Sequence, residues 1–292
     1  MMALFTRHLY LLAVGGSALA FTAAQVFGWP AHAAILAWSI LTLAAGALLE
    51  RLAPFDLKWN QADADTAVDA TSAVVLIGVV DPLAKAVLPL LAAALFAATA
   101  EPSWLLSGTP LAMQILAVVL WVEFAKYWSH RLHHEHSLLW GLHALHHSSE
   151  RLYWLNNFRF HPLNHLTNTV VSLLPLALLG APQEVVLGAL AVTQPVLMLQ
   201  HLNARTDNGW LNHVFSTNEV HRWHHSDDPA QANANYGSAL VLWDHVFGTF
   251  RQADGKSRPA RIGLFGDGGG YTARASYLRQ MLSPLMPACC RA

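Results

Sequence analysis

The stretch HRLHHEHSLLWGLHALHHSSE, residues 130–150, decides how this chain is read. It holds His130-Arg-Leu-His133-His134 and His143-Ala-Leu-His146-His147, and a third cluster, His221-Arg-Trp-His224-His225, follows farther along. Positions three and four apart on a helix share a face. The HxxxH pair His130/His134 and the HxxHH triplets His143/His146/His147 and His221/His224/His225 therefore each present an edge of imidazoles. With 17 histidines in 292 residues, chance supplies only roughly 0.06 such triplets. Eight neutral nitrogen donors are too many for one transition metal and suit two, with positions left open.

Composition sets the environment. Hydrophobic residues make up 54% of the chain and charged residues 12%, against roughly 25% charged in an ordinary soluble domain. Mean hydropathy is +0.34. A net charge of −1 provides no basic field for nucleic acid. The cysteines, Cys289 and Cys290, are neighbours and build no disulfide framework, which suits a reducing, cytoplasm-facing tail.

Leu9–Trp29 and Ala31–Leu49 each approach the ~20 residues that cross a bilayer. Ala70–Ala98 is interrupted by Asp81-Pro82 and Lys85, so a kinked span or two half-spans are expected. Leu111–Trp128 is a fourth run; Leu166–Leu179 and Glu184–Leu202, broken at Gly180-Ala181-Pro182, predict a membrane hairpin over 166–202. The first run also resembles a secretory signal ending at Ala18-Leu19-Ala20, although a membrane protein needs none beyond its first span. Arg7, Arg51, Lys58, Lys126 and Arg131 mark one side, while the Gly28–Ala31 link and the Ala100–Pro110 loop carry no Lys or Arg. The positive-inside rule then turns the histidines toward the cytoplasm, beneath an inner or cytoplasmic membrane. Trp121, Tyr127, Trp128, Trp140, Tyr153 and Trp154 read as interface anchors. The expected fold is all-α: about four transmembrane helices, a membrane hairpin and a cytosolic histidine-rich helical cap. A transmembrane region over 1–129, a histidine-bearing region over 130–250 and a loose tail over 251–292, with Asp267-Gly268-Gly269-Gly270, complete the expected organisation.

The order HxxxH, HxxHH, HxxHH comes with Tyr127-Trp128-Ser129 before the first box and Ser148-Ser149-Glu150 after the second. Arg159-Phe160-His161-Pro162, Asn235-Tyr236-Gly237 and Trp243-Asp244-His245-Val246-Phe247-Gly248-Thr249 follow. Over about residues 120–250 the chain resembles the fatty acid hydroxylase/sterol desaturase superfamily of integral membrane di-iron oxygenases. Ser148-Ser149-Glu150 also looks like the alkylglycerol monooxygenase branch. The resemblance implies a membrane stalk and a cap holding two iron ions, with O2 as co-substrate. It implies hydroxylation or desaturation of an aliphatic C–H bond in a lipid such as a fatty acyl chain, a sterol or an ether lipid. It also implies a ninth ligand, His201. Imidazole suits iron, and zinc has no redox chemistry. The chain shows no haem module and no Gly-rich dinucleotide fingerprint, so an external reductase or ferredoxin-like partner is expected to supply electrons.

His133 competes with His134 for the first box, and the family spacing favours His134. His161 is a further metal candidate, paired with His165 at HxxxH spacing, but Pro162 pushes it toward extended backbone. Glu123, seven residues and two turns before His130, is either a carboxylate orienting a ligand imidazole or a polar residue ending a span. Asp244 is a second candidate of that kind. Asp227-Asp228 before Pro229 reads as a hydrated turn. Arg131, Arg159 and Arg222 either face lipid phosphates or follow from positive-inside placement. The rival reading, a non-catalytic histidine-rich metal-binding or transport protein, expects ligands along the spans, where only Asp81 and Lys85 stand out. A membrane zinc hydrolase expects HExxH, which is absent from the sequence.

Overall fold

The computed structural model describes residues 2–96, 104–251, 258–266 and 275–285. The first two apolar runs form α1 (Met2–Phe27) and α2 (Ala31–Leu52), separated by Gly28 at φ 68° and by Pro30. Gly28 takes that left-handed conformation because it lacks a Cβ. The two helices approach closely, since a Cβ on Gly16 would overlap the Trp38 ring. The Trp38 indole donates to the Ala13 carbonyl at 2.8 Å, which satisfies a polar group that lipid cannot.

Helix α3 (Thr66–Val75) passes through a π turn at Leu76–Val80 into α4 (Asp81–Phe96). The interruption read at Asp81-Pro82 is thus absorbed within one long apolar helix, Thr66–Leu95, because a π turn tolerates the N–H that proline lacks. Helix α5 (Leu111–Glu135) runs from the fourth apolar stretch into the first histidine box without a break. The second box lies on α6 (Ser137–His147). After α7 (Pro162–Leu178) and α8 (Gln183–Leu199), the third box lies on α9 (Asn218–His224) and its C-cap, His225. Short helices α10 (Pro229–Ala232), α11 (Leu242–Phe247) and α12 (Tyr277–Gln280) complete the cap. Among the described residues there are only isolated β-bridges, such as Phe215 with Leu240.

Thr6–Phe27, Ala31–Leu52, Thr66–Leu95 and Leu111–Glu135 are long and apolar enough to cross a membrane, with at most 33% of each apolar window buried inside the protein. Side chains such as Leu19, Leu36, Val74 and Leu90 point outward. Such a surface is compatible with lipid rather than water. The chain is an all-α integral membrane protein.

The two halves of the expected hairpin follow one another across Gly180-Ala181-Pro182, and Leu176 of α7 shares a hydrophobic cluster with Val185 and Ala189 of α8. Beyond that, α8 packs on α1, α2 and α5, whereas α7 packs on α4 and α5. Both halves are apolar and both contain a proline, Pro175 and Pro195, so their pattern does not say which other helices each one meets. Close fit decides instead: a Cβ on Gly188 of α8 would collide with Ile115 of α5.

Buried ion pairs fasten the cap to α3. Arg159 Nη1 lies 2.8 Å from Asp69 Oδ1 with both side chains fully buried, and Arg151 Nη2 lies 2.7 Å from Asp65. The Tyr153 hydroxyl donates to Asp69 at 2.7 Å. Arg159 therefore does not face lipid, and neither does Arg222, which is buried 3.5 Å over the Phe55 ring. Arg131 pairs with Glu135. Of the expected interface anchors, Tyr127, Trp140 and Tyr153 are buried and fill the cap interior.

The C-terminal part, expected to be loose, is packed where it is described. Phe265 stacks on Trp140 at 4.8 Å, the Gly263 N–H donates to the His225 carbonyl, and Ser283 Oγ donates to the Gly141 carbonyl. Asp267–Gly270, Cys289 and Cys290 lie outside the described residues.

Candidate metal centre

Nine histidines gather where α5 leaves the apolar layer, in two groups whose ligand atoms lie within 4.8 Å of one another. One group is His130, His134, His143, His147 and His224; the other is His146, His201, His221 and His225. These are the eight box histidines and His201.

The boxes do not each build one group. At about 100° per residue, positions i and i+4 on a helix lie about 40° apart, and i+3 lies about 60° to the other side of i. On α6 the i, i+4 pair His143/His147 serves the first group and His146, at i+3, the second. On α9 the allocation inverts: His221 and His225 serve the second group and His224 the first. Two HxxHH helices facing each other thus interleave their ligands.

Hydrogen bonds settle which ring nitrogen points inward. The Nδ1 atoms of His130, His146 and His224 face the carbonyls of Tyr236, Arg159 and Ala234 at 2.9, 3.2 and 2.9 Å. Those of His134, His143 and His201 face the side-chain oxygens of Asn233, Asn164 and Asn156 at 3.3, 3.1 and 2.8 Å. Oxygens that only accept fix the proton on Nδ1 and leave Nε2 as a lone pair. These Nε2 atoms then confront one another: His130 and His143 at 3.0 Å, His201 and His221 at 3.1 Å. Nε2 of His134 and of His224, and both nitrogens of His147, are buried without any partner. Converging lone pairs and orphaned buried nitrogens are what a cation between them would relieve.

Electrostatics favours neutral rings. Burial, reinforced by neighbouring imidazoles, holds His143, His146, His147, His221 and His225 well below the ordinary histidine range. Burial lowers His201 to about 3 and His224 to about 4. At neutral pH these rings are neutral rather than cationic, the form in which imidazole can bind a metal.

The other candidates stand elsewhere. His133 donates from Nδ1 to the Ser129 carbonyl at 2.7 Å and joins neither group. His161 accepts the Leu163 N–H and so caps α7, with Nε2 at 3.3 Å from the Met281 carbonyl; His165 lies 3.7 Å from Asp81. Glu123 touches no imidazole: Oε2 accepts the Ala239 and Leu240 N–H groups at 2.8 and 2.7 Å. Asp244 accepts the Tyr236 and Gly237 N–H groups, both at 2.7 Å, and so steadies the carbonyl that receives His130. Asp228 caps α10 and Asp227 pairs with Arg261, in keeping with a turn. The acceptors Asn156, Asn164 and Asn233 carry no sequence spacing that would reveal them.

An all-α membrane protein with two polyhistidine groups at the end of its fourth span is a defined class. Residues 115–249 match the family model described as Fatty acid hydroxylase, which places the histidine boxes within the matched region. It is 38% identical over 218 residues to the ornithine lipid hydroxylase OlsE of Rhizobium tropici, an overlap of 72% of this chain and 64% of that protein. It is 34% identical over 134 residues to the alkylglycerol monooxygenase of Danio rerio, and 31% identical over 137 residues to that of Homo sapiens. Those overlaps cover 45% and 47% of this chain but only 29% and 30% of the two relatives. No solved structure matches the chain.

Proposed function

We propose that the chain is a membrane-bound di-iron oxygenase that hydroxylates an aliphatic C–H bond of a lipid, or desaturates it. The observation that carries this reading is the pair of buried groups of neutral imidazoles with converging Nε2 atoms. His130, His134, His143, His147 and His224 hold one iron; His146, His201, His221 and His225 hold the other. Two irons so held supply the redox chemistry by which O2, two electrons and two protons convert R–H to R–OH and water.

The chain's own residues bind and orient. Asn156, Asn164, Asn233 and three backbone carbonyls keep the Nδ1 protons of six of the nine histidines outward, which leaves the Nε2 lone pairs of those six for a metal. Packed aromatic rings, Trp140 against Phe265 and His146 against Phe160, exclude bulk water from the rim. The lipid arrives from the membrane, and electrons come from an external reductase or ferredoxin-like donor. Positive-inside counting places the centre on the cytoplasmic face of a cytoplasmic membrane. The relative matched over 218 residues is called an ornithine lipid hydroxylase, so an acylated amino-acid lipid is the first substrate to test and an alkylglycerol the second.

The test uses protein from iron-replete cells, with iron counted, the Mössbauer spectrum recorded, and the lipid products of an 18O2 incubation weighed. Two irons per chain in a paired high-spin site, with one 18O atom in the product lipid, are expected. Tight zinc that survives anaerobic iron reconstitution, with no labelled lipid, overturns the reading in favour of a structural or hydrolytic site.

A further inference from the structure

We infer that the outer face formed by α11 and the Gly209–His213 turn is a membrane-inserted surface, so that the cap is sunk into the bilayer rather than standing clear of it. The argument starts from depth along α5. The Trp243 indole of α11 donates to the Leu120 carbonyl at 3.3 Å. Phe124 lies edge-on to Trp243 at 4.9 Å, and Phe247 lies 5.1 Å from Trp128. Helix α11 is therefore pinned alongside residues 120–128 of α5, within the span Leu111–Glu135 and on its membrane side relative to His130. At about 1.5 Å per residue, Phe124 lies about 9 Å deeper along α5 than His130.

The outer side of α11 is bare and mostly apolar: Leu242, His245 and Val246 are exposed, Val246 at 59%, and Trp210, His213 and Val214 extend the patch with Trp210 at 64%. The two parts are contiguous: the Val241 N–H donates to the Val214 carbonyl, and the His213 and His245 rings stack at 5.7 Å. This patch continues the lipid-facing side of α5, where Trp121 is also exposed. Such a surface in water is costly; at the level of residues 120–128 lipid covers it without cost.

Backbone bookkeeping agrees. Irregular chain at membrane depth persists only where protein satisfies its N–H and C=O groups. The 236–240 loop meets that demand with buried side chains. Glu123 takes two N–H groups, Asp244 two more, and Gln200 donates to the Ser216 and Ser238 carbonyls.

The experiment places a nitroxide label at Val246→Cys, Trp210→Cys and, as the aqueous control, Ala260→Cys, in a Cys289→Ser/Cys290→Ser background in liposomes. Collisional relaxation by oxygen and by a water-soluble nickel chelate reads depth. Positions 246 and 210 are expected to favour oxygen over nickel several-fold more than position 260. Equal ratios at all three positions overturn the inference, as does dipolar coupling between labels at 246, which would make the face a contact between two copies. Because a label could disturb folding, the unmodified chain is also probed by hydroxyl-radical oxidation in nanodiscs. Protection of Trp210 supports insertion, and its full oxidation refutes it.

Discussion

His147 has two buried ring nitrogens and a partner for neither, a costly arrangement that a bound cation would relieve. Convergence on other imidazoles separates His201, whose Nε2 faces His221 at 3.1 Å, from His133, which is as buried but joins neither group. His201→Ala removes one of four donors from its group and is expected to leave about one iron per chain. His133→Ala is expected to keep two; iron analysis decides, and equal iron in both variants refutes the assignment. Acid supplies a second prediction. His201 and His224 sit near 3 and 4 in the folded state, against about 6.5 when unfolded. Between those values the unfolded chain binds more protons. Stability of the metal-free protein is therefore complete above about pH 6.5 and falls as pH drops toward 4, with a slope of about 1.4 kcal/mol per unit for each such histidine. Thermal unfolding curves that do not change between pH 7 and 4 would contradict this. The box histidines are legible in the sequence because helical spacing maps them onto faces. His201 has no such partner and comes only through the family resemblance, and Glu123, on the expected face, turns out to serve a loop rather than a ring.

Helix α3 reaches the centre through Asp69 and through Ser72, which bonds Phe158 and Phe160 on either side of Arg159. Arg159 is locked to Asp69, while its own carbonyl receives His146 Nδ1. Replacing Arg159 with methionine strands a buried carboxylate and is expected to cost about 3–5 kcal/mol. The double variant Arg159→Met/Asp69→Leu is expected to recover most of that loss in a denaturation double-mutant cycle; strict additivity would show the pair to be uncoupled. In the membrane layer, Gly16→Leu is expected to drive α1 from Trp38 and lower stability by about 1–3 kcal/mol, read by thermal denaturation in detergent. The spans were legible from their length and apolarity. The other partners of α7 and α8 were not, because a largely apolar helix specifies no neighbour until small residues such as Gly188 find a fit. The α11 surface escaped for a related reason. Six residues reading Leu-Trp-Asp-His-Val-Phe are too few to reveal an amphipathic period.

At the scale of the whole molecule, the two histidine groups draw ligand atoms from α5, α6, α9 and the turn after α8, over and above the direct packing of α5 on α6 and α8. Chelation of reduced protein is therefore expected to lower the melting temperature of the entire cap and expose α6 and α9 to protease, an unchanged melting curve being the contrary result. Because each HxxHH helix feeds both groups, neither half of the cap can be completed alone. That interleaving has a meaning for the cell. With iron as the proposed metal, chain made during iron scarcity would carry a cluster of unsatisfied nitrogens in place of a finished cap, and quality-control proteases act on such unfinished chains. The amount of this protein in its membrane would then follow the iron supply directly, with no transcriptional sensor in between.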